Sequence, residues 1–201
     1  MTNSDVPIAV VGQNPALIEH SLAVLQAGLG QGFITKQYFL RYVAPQPRKP
    51  FRRALVALDE ATTSVLGVLT IEIVGAKALR ASFLDSYELA RADANIRLLR
   101  PGKTGLIKSI AVSPAHQGRG VATQLIAHGM KELANQGAEH LYSLAWVSGQ
   151  SGCHLCGVLT ALGFREIREI ERFWYQDSLA NGYTCLVCGH PCECAVRVMI
   201  Q

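Results

Sequence analysis

The sequence predicts an α/β (α+β) chain, and three observations carry that prediction. Helix-period and strand-period stretches alternate from residue 14 to residue 200. A glycine-rich turn at 117–122 joins an apolar strand directly to an amphipathic helix. Of the 201 residues, 49% are hydrophobic, yet no apolar run approaches the roughly 18–20 residues needed to span a bilayer. That length and composition suit one globular core. No Pro/Ser-rich linker divides the chain, so 1–201 reads as a single domain.

The elements follow in order. Residues 14–29 form a helix, because Leu17, Ile18, Leu22, Leu25 and Leu29 recur at helical spacing and Asn14-Pro15 is a start signal. A second helix runs from Thr35 to Tyr42. Pro45, Pro47 and Pro50 make the next stretch a loop. Arg53–Asp59 and Ser64–Gly75 are strands rich in Val, Leu and Ile, with a turn at 60–63. Leu84–Leu99 has no clear period, and Pro101-Gly102 breaks the chain. Gly105–Val112 is a strand and Ser113–Gly120 a tight turn. Val121–Gln136 is a helix with Val121, Leu125, Ile126, Met130, Leu133 and Ala134 on one face, stopped by Gly137. Leu141–Val147 is the next strand, and residues 152–162 form a helix ended by Gly163. Two last strands are expected near Phe173–Gln176 and at Ala195–Ile200.

The net charge of +4 is mild and argues neither for a membrane surface nor for a nucleic-acid partner. Arg41, Arg48, Lys49, Arg52 and Arg53 cluster, which most simply reads as a solvated face. The start of the chain has no basic region leading into an apolar stretch, so the expectation is a cytoplasmic protein. In that setting six crowded cysteines argue for metal or redox chemistry over structural disulfides. Cys185, Cys188, Cys192 and Cys194 have the closeness of a tetrahedral thiolate site for structural zinc, a knuckle at 185–194. His190 is an alternative ligand. Cys153 and Cys156 either join that site or form a separate, redox-reactive pair at a helix N-terminus.

The turn Gln117-Gly118-Arg119-Gly120-Val121-Ala122 has a chemical reading of its own. The first amides of a helix lack intrahelical partners, and the macrodipole makes that end positive. A pyrophosphate is held well there, and glycines allow it to approach the backbone. Arg119 adds charge nearby. The wider stretch from Ile110 to Ile126, with Gln117, Gly120 and Ala122 at its fixed positions, resembles the core motif of the GNAT superfamily of N-acetyltransferases. The Leu162-Gly163-Phe164 ending is similar to that family's second motif.

The resemblance implies a mixed, mostly antiparallel sheet with helices on both faces and a splayed central pair of parallel strands, here 105–112 and 141–147. It implies acetyl-CoA in the gap. Backbone groups of Ile110, Ala111 and Val112 would hold the pantetheine arm, and Gln117, Gly118, Arg119, Gly120, Val121, Ala122 and Thr123 the pyrophosphate. The reaction implied is acetyl transfer by direct attack of a small-molecule or protein amine. Such a transfer needs a base for the amine, stabilisation of the carbonyl oxygen, and an acid for the leaving thiolate.

The sequence departs from the family pattern at that acid. The usual Tyr position holds Leu159 and the usual Asn position Gly152. Tyr175, expected on the strand after the 152–162 helix, is the substitute candidate, and Cys156 a second. Glu72, opposite in pleat to Ile71 and Ile73, is the candidate base, since a carboxylate facing the cleft would have its pKa raised by burial. His116 beside the loop reads as a surface turn residue. The competing reading is a catalytically degenerate acyl-CoA-binding fold that recognises a protein or nucleic acid through the cysteine knuckle.

Overall fold

The computed structural model describes residues 6–43, 50–61, 64–75, 99–149 and 152–201. Among these residues seven strands form one sheet. They are β1 (Ile8–Val10), β2 (Arg52–Leu58), β3 (Val65–Ile73), β4 (Thr104–Val112), β5 (His140–Val147), β6 (Arg165–Ile170) and β7 (Ala195–Ile200). Among the described residues five α-helices accompany them: α1 (Pro15–Leu29), α2 (Lys36–Val43), α3 (Val121–Asn135), α4 (His154–Ala161) and α5 (Tyr175–Asn181). The expected segment Leu84–Leu99 lies outside the described residues except for Leu99, and Arg48 and Lys49 also lie outside them.

The strand order is β1-β2-β3-β4-β5-β7-β6. Every neighbouring pair is antiparallel except β4 and β5, which run parallel. The expected mixed, mostly antiparallel sheet is therefore present. Helices cover both faces. On one, Val121, Leu125, Ile126 and Leu133 of α3 and Leu159 of α4 pack on Leu55, Leu69, Ile71 and Ile107. On the other, Leu22 and Leu25 of α1 and Phe39, Tyr42 and Val43 of α2 pack on Ala54, Val56, Val68 and Ala111. A third cluster joins Leu106, Tyr142, Val198 and Ile200.

Local chemistry explains the helix ends. The Asn14 side chain accepts from the amides of Ala16 and Leu17 at 3.0 and 3.2 Å, which caps α1. Gly30 ends it at φ +100°. Two of the clustered cations are neutralised: Arg52 pairs with its cross-strand partner Glu72, and Arg53 with Glu132 of α3.

Three expectations change. β1 pairs with β2 and was not legible in its three residues. The strand expected near Phe173–Gln176 lies earlier, at Arg165–Ile170. Its alternating Arg and Glu face solvent on a sheet edge, so it lacks the apolar run that marks a strand. Tyr175 therefore does not sit on a strand; it opens the short helix α5.

The centre of the sheet departs from regularity. The β3–β4 register runs Thr70↔Ser109 and then Ile71↔Ile107, so Lys108 bulges out of β4. The bulge reverses the strand's facing. Before it Ile107 faces α3; after it Ile110 and Val112 do, while Ala111 faces α1. At the same place β4 parts from β5. Their ladder runs only from Thr104↔His140 to Ile107↔Ser143, and the Ser143 hydroxyl donates to the Ile107 carbonyl at 3.0 Å. Beyond it the two strands splay, as the resemblance implied.

The close seating of α3 on the sheet depends on Gly129. A Cβ at that position would stand 2.8 Å from Leu69 Cδ2 and 3.2 Å from Ile71 Cγ2. Gly129→Val is expected to destabilise the fold by about 1–3 kcal/mol through overpacking, lowering the midpoint of thermal unfolding by roughly 3–10 °C. An unchanged midpoint would show that α3 can lift off the sheet at no cost.

Candidate active site

The gap between β4 and β5 opens into a cleft of about 590 Å³. The β4 residues Lys108–Val112 form one side, and Leu144, Trp146 and Ser148 another. Gln117, Gly118 and Ala122 line it at the turn, and Leu155 and Val158 from α4. Past Ile107 the β5-facing edge of β4 has no strand partner among the described residues, so its backbone groups are available to an extended ligand.

The turn leading to α3 has the geometry an anion needs. Gly118 and Gly120 adopt φ +73° and +79°, a conformation that disfavours any residue with a Cβ. Gly120 is the N-cap of α3 and caps nothing with a side chain, so the first amides of the helix remain free of a side-chain partner. Gln117 Nε2 donates to the Val112 carbonyl at 3.1 Å and ties the turn to the end of β4. Of the residues expected to hold a cofactor, Ile110, Ala111, Val112, Gln117, Gly118 and Ala122 border the cleft. The Val121 side chain turns into the core instead. Arg119, Gly120 and Thr123 do not line the cleft.

A second cavity, also of about 590 Å³, adjoins the first. Phe33, Lys108, Leu144, Trp174 and Tyr183 line both and form the wall between them. Glu72 lies in this second cavity with Tyr38, Arg41 and Asp177. Glu72 is 6% exposed, and Arg52 Nε donates to its Oε2 at 2.8 Å. Strand alternation therefore does turn Glu72 toward a cavity, and burial there comes with a cationic partner. Burial and then the Tyr38 and Glu72 charges push the neighbouring Tyr42 phenol well above its ordinary pKa, so it stays neutral.

The candidate acid is not brought to either cavity. The Tyr175 ring lies under the Arg172 guanidinium, 4.0 Å from it, and borders neither space. Leu159, at the family's usual Tyr position, is fully buried in the core beside α3. Cys156 is taken up in a disulfide with Cys153, so these two sulfurs do not join the four-cysteine group.

Sequence reasoning missed Lys108, Trp146, His154, Trp174 and Tyr183, all of which line the cleft. Lys108 carried a signal, as the one cation in an otherwise apolar strand. Trp174 and Tyr183 carried none, because their place depends on how the segment between β6 and β7 folds back.

That segment holds the cysteine knuckle. The sulfurs of Cys185, Cys188, Cys192 and Cys194 all lie within 4.8 Å of one another. Individual separations are 3.8 Å for 185–194, 3.7 Å for 188–192 and 3.4 Å for 188–194. Four sulfurs at about 2.3 Å from a tetrahedral centre would stand about 3.8 Å apart, so the cluster has the dimensions to hold a metal. Burial, reinforced by neighbouring thiols, pushes Cys192 well above the usual thiol range and Cys194 up to about 12. Cys188 is held below its ordinary value; burial opposes this, and the Glu193 amide with the neighbouring thiols outweighs it. His190 is not part of the group: its Nδ1 lies 3.0 Å from the Tyr183 carbonyl.

No curated protein matches the chain by sequence. Solved structures do. NAA60 of Arabidopsis thaliana in complex with acetyl-CoA superposes with a TM-score of 0.65, at 14% identity over 98% of each chain. An IAA acetyltransferase from Bacillus cereus gives 0.59 at 18% identity, covering 97% of this chain and 98% of that one. The aminoglycoside 6'-N-acetyltransferase from Enterococcus faecium gives 0.58 at 12%, over 97% and 96%. At such identities the likeness is one of fold. The sequence profile of the acetyltransferase (GNAT) family, however, matches residues 36–164, well over half of the protein, from the start of α2 to just past the end of α4, and includes the turn at 117–122. The chain therefore belongs to the GNAT acetyltransferase family.

Proposed function

We propose that this protein is an acetyl-CoA-dependent N-acetyltransferase that moves the acetyl group to a primary amine by direct attack, with the whole chain acting as one such domain. The observation that carries the reading is the pair of adjoining cavities. One runs from the glycine turn along the splayed edge of β4, and the other holds a buried carboxylate. A thioester in the first and an amine in the second would meet at the wall formed by Phe33, Lys108, Leu144, Trp174 and Tyr183. Solved relatives of this fold include complexes with acetyl-CoA and with a peptide and CoA, which supports both the cofactor and an acceptor that is a small molecule or a protein.

In this reading the amides opening α3 bind the pyrophosphate, and β4 from Ile110 to Val112 aligns the pantetheine arm. The acceptor enters as an ammonium. It loses a proton to Glu72, directly or through water, and its nitrogen attacks the thioester carbonyl carbon. The C–S bond breaks, and the thiolate takes up the second proton that the attacking nitrogen releases, directly or through water, as CoA leaves. Tyr175, lying outside both cavities, receives no role in that last transfer.

For the four cysteines we propose structural zinc. An all-thiolate, closed donor set suits that ion and leaves no open position for catalysis. Metal must displace the thiol protons, and burial makes those of Cys192 and Cys194 hard to remove, so affinity falls as pH falls. The purified protein is expected to contain stoichiometric zinc, released progressively on acidification. Elemental analysis showing only traces would remove this assignment.

Two further outcomes are expected. Calorimetric titration should show micromolar acetyl-CoA binding, lost in Gly120→Glu. That change forces a side chain into φ +79° and sets a negative charge where the pyrophosphate belongs. Undiminished binding would place the cofactor elsewhere. Glu72→Gln should lower kcat by about 100-fold or more, in line with loss of a general base, with acetyl-CoA affinity unchanged. Full activity in that variant would leave the base to another group.

A further inference from the structure

The knuckle does not stand apart from the two cavities. Cys185, Val187 and Cys192 line the cofactor cleft, and Tyr183, two residues before the first cysteine, lines both spaces. Outside the Cys185↔Gly189 bridge, the stretch from Gly182 to Cys194 has no strand or helix to hold its shape. What it does have is four converging thiols and a few fastenings. The Cys192 amide donates to the buried Ser178 hydroxyl of α5 at 2.9 Å, and His190 contacts the Tyr183 carbonyl. The Tyr183 hydroxyl donates to the Trp174 carbonyl at 3.3 Å.

The turn between α1 and α2 rests on this assembly. A Cβ at Gly32 would lie 2.7 Å from Tyr183 Cβ and 3.0 Å from its Cα, so the turn is already seated closely on Tyr183 at its backbone and Cβ. A Cβ at Gly30 would stand 3.4 Å from the Thr184 carbonyl and 3.7 Å from Leu186. The Phe33 ring meets Tyr183 edge-on at 5.3 Å and Trp174 at 5.6 Å. Tyr183 is thus, with Thr184 and Leu186, a piece through which the knuckle reaches the turn, and it alone of these three lines both spaces; Phe33, Trp174 and Tyr183 are three of the five residues that divide cofactor cleft from acceptor cavity.

We propose that Tyr183 is a positioning residue: the metal-loaded knuckle holds it in place, and it in turn seats the Gly30–Phe33 turn, so the wall between the two cavities is complete only when the metal is bound. The inference rests on the zinc and acetyltransferase readings above. It makes the metal a condition for the acceptor site as well as a staple for the loop. Without an ion the four thiols have no common centre to converge on, and Tyr183 loses its anchor.

Metal content is measured first, because absence of metal would sink the zinc reading and this inference with it. With metal present, hydrogen exchange is compared between the loaded protein and protein treated with a chelator. The expected result is loss of protection over residues 28–34 and 182–194 with α3 and β3 unchanged. It should be accompanied by a shift in tryptophan emission, since both tryptophans, Trp146 and Trp174, pack against the knuckle. Tyr183→Ala, which removes no thiol, should retain zinc and lose the same protection over 28–34, and Tyr183→Phe should restore it. Gly32→Ala should also keep its zinc and expose the turn. Unchanged protection of 28–34 after metal loss would overturn the proposal. So would loss of protection throughout the sheet, which would make the metal a support for the whole fold.

Discussion

Most of this structure follows from the point where β4 and β5 stop pairing. Two parallel strands at the centre of a sheet normally satisfy each other's backbone groups along their length. Here they do so over four residues, from Thr104 to Ile107, and then diverge. The bulge at Lys108 sits at that boundary, and a bulge adds local twist. The divergence leaves a strand edge unsatisfied in the interior, which is costly unless something pairs with it. A pantetheine arm has the amides to do so. The same divergence places the anion turn at one end of the gap and the second cavity at the other.

The rest of the fold keeps that gap open and lined. On one face α3 is drawn onto β3 by the missing side chain of Gly129 and buries Leu125, Ile126 and Leu133. This fixes the start of the helix, and so its free amides, against the end of β4. On the other face α1 approaches β4 so closely that a Cβ at Gly28 would meet Ala111 at 2.8 Å. The bulge also decides which β4 residues face α3. It shifts the pleat so that Ile110 and Val112, not Ser109 and Ala111, share a face with Ile107.

Glu72 shows how a strong side-chain preference is satisfied by pairing. A carboxylate near the end of the most buried strand is held by its cross-strand partner Arg52, and its burial is tolerated because a fixed cation replaces water. The knuckle solves a different problem. The connection from β6 to β7 is long, with the short helix α5 as its one helix, and its Trp174 and Tyr183 line both cavities. Converging thiols can give such a loop a defined shape without a large apolar core.

The family and the anion turn were legible in the sequence because both are local. Gly118 and Gly120 are required by backbone angles within a few residues, and Gln117–Ala122 lies next to the helix whose amides it exposes. The same holds for the Asn14 cap, the apolar stripe of α3 and the spacing of Cys185 to Cys194. The register of the sheet, the Lys108 bulge, edge strand β6 and helix α5 were not legible, since long-range pairing and burial decide them. For that reason Tyr175 was expected on a strand beside the chemistry and is found under Arg172. Tyr183 carried no mark of its place, and it reaches both cavities only because the segment between β6 and β7 folds back onto Gly32. Backbone angles and periodicity are written into neighbouring residues, whereas the meeting of Tyr183, Phe33 and Lys108 depends on contacts across more than seventy positions of the chain, and only tertiary packing sets those.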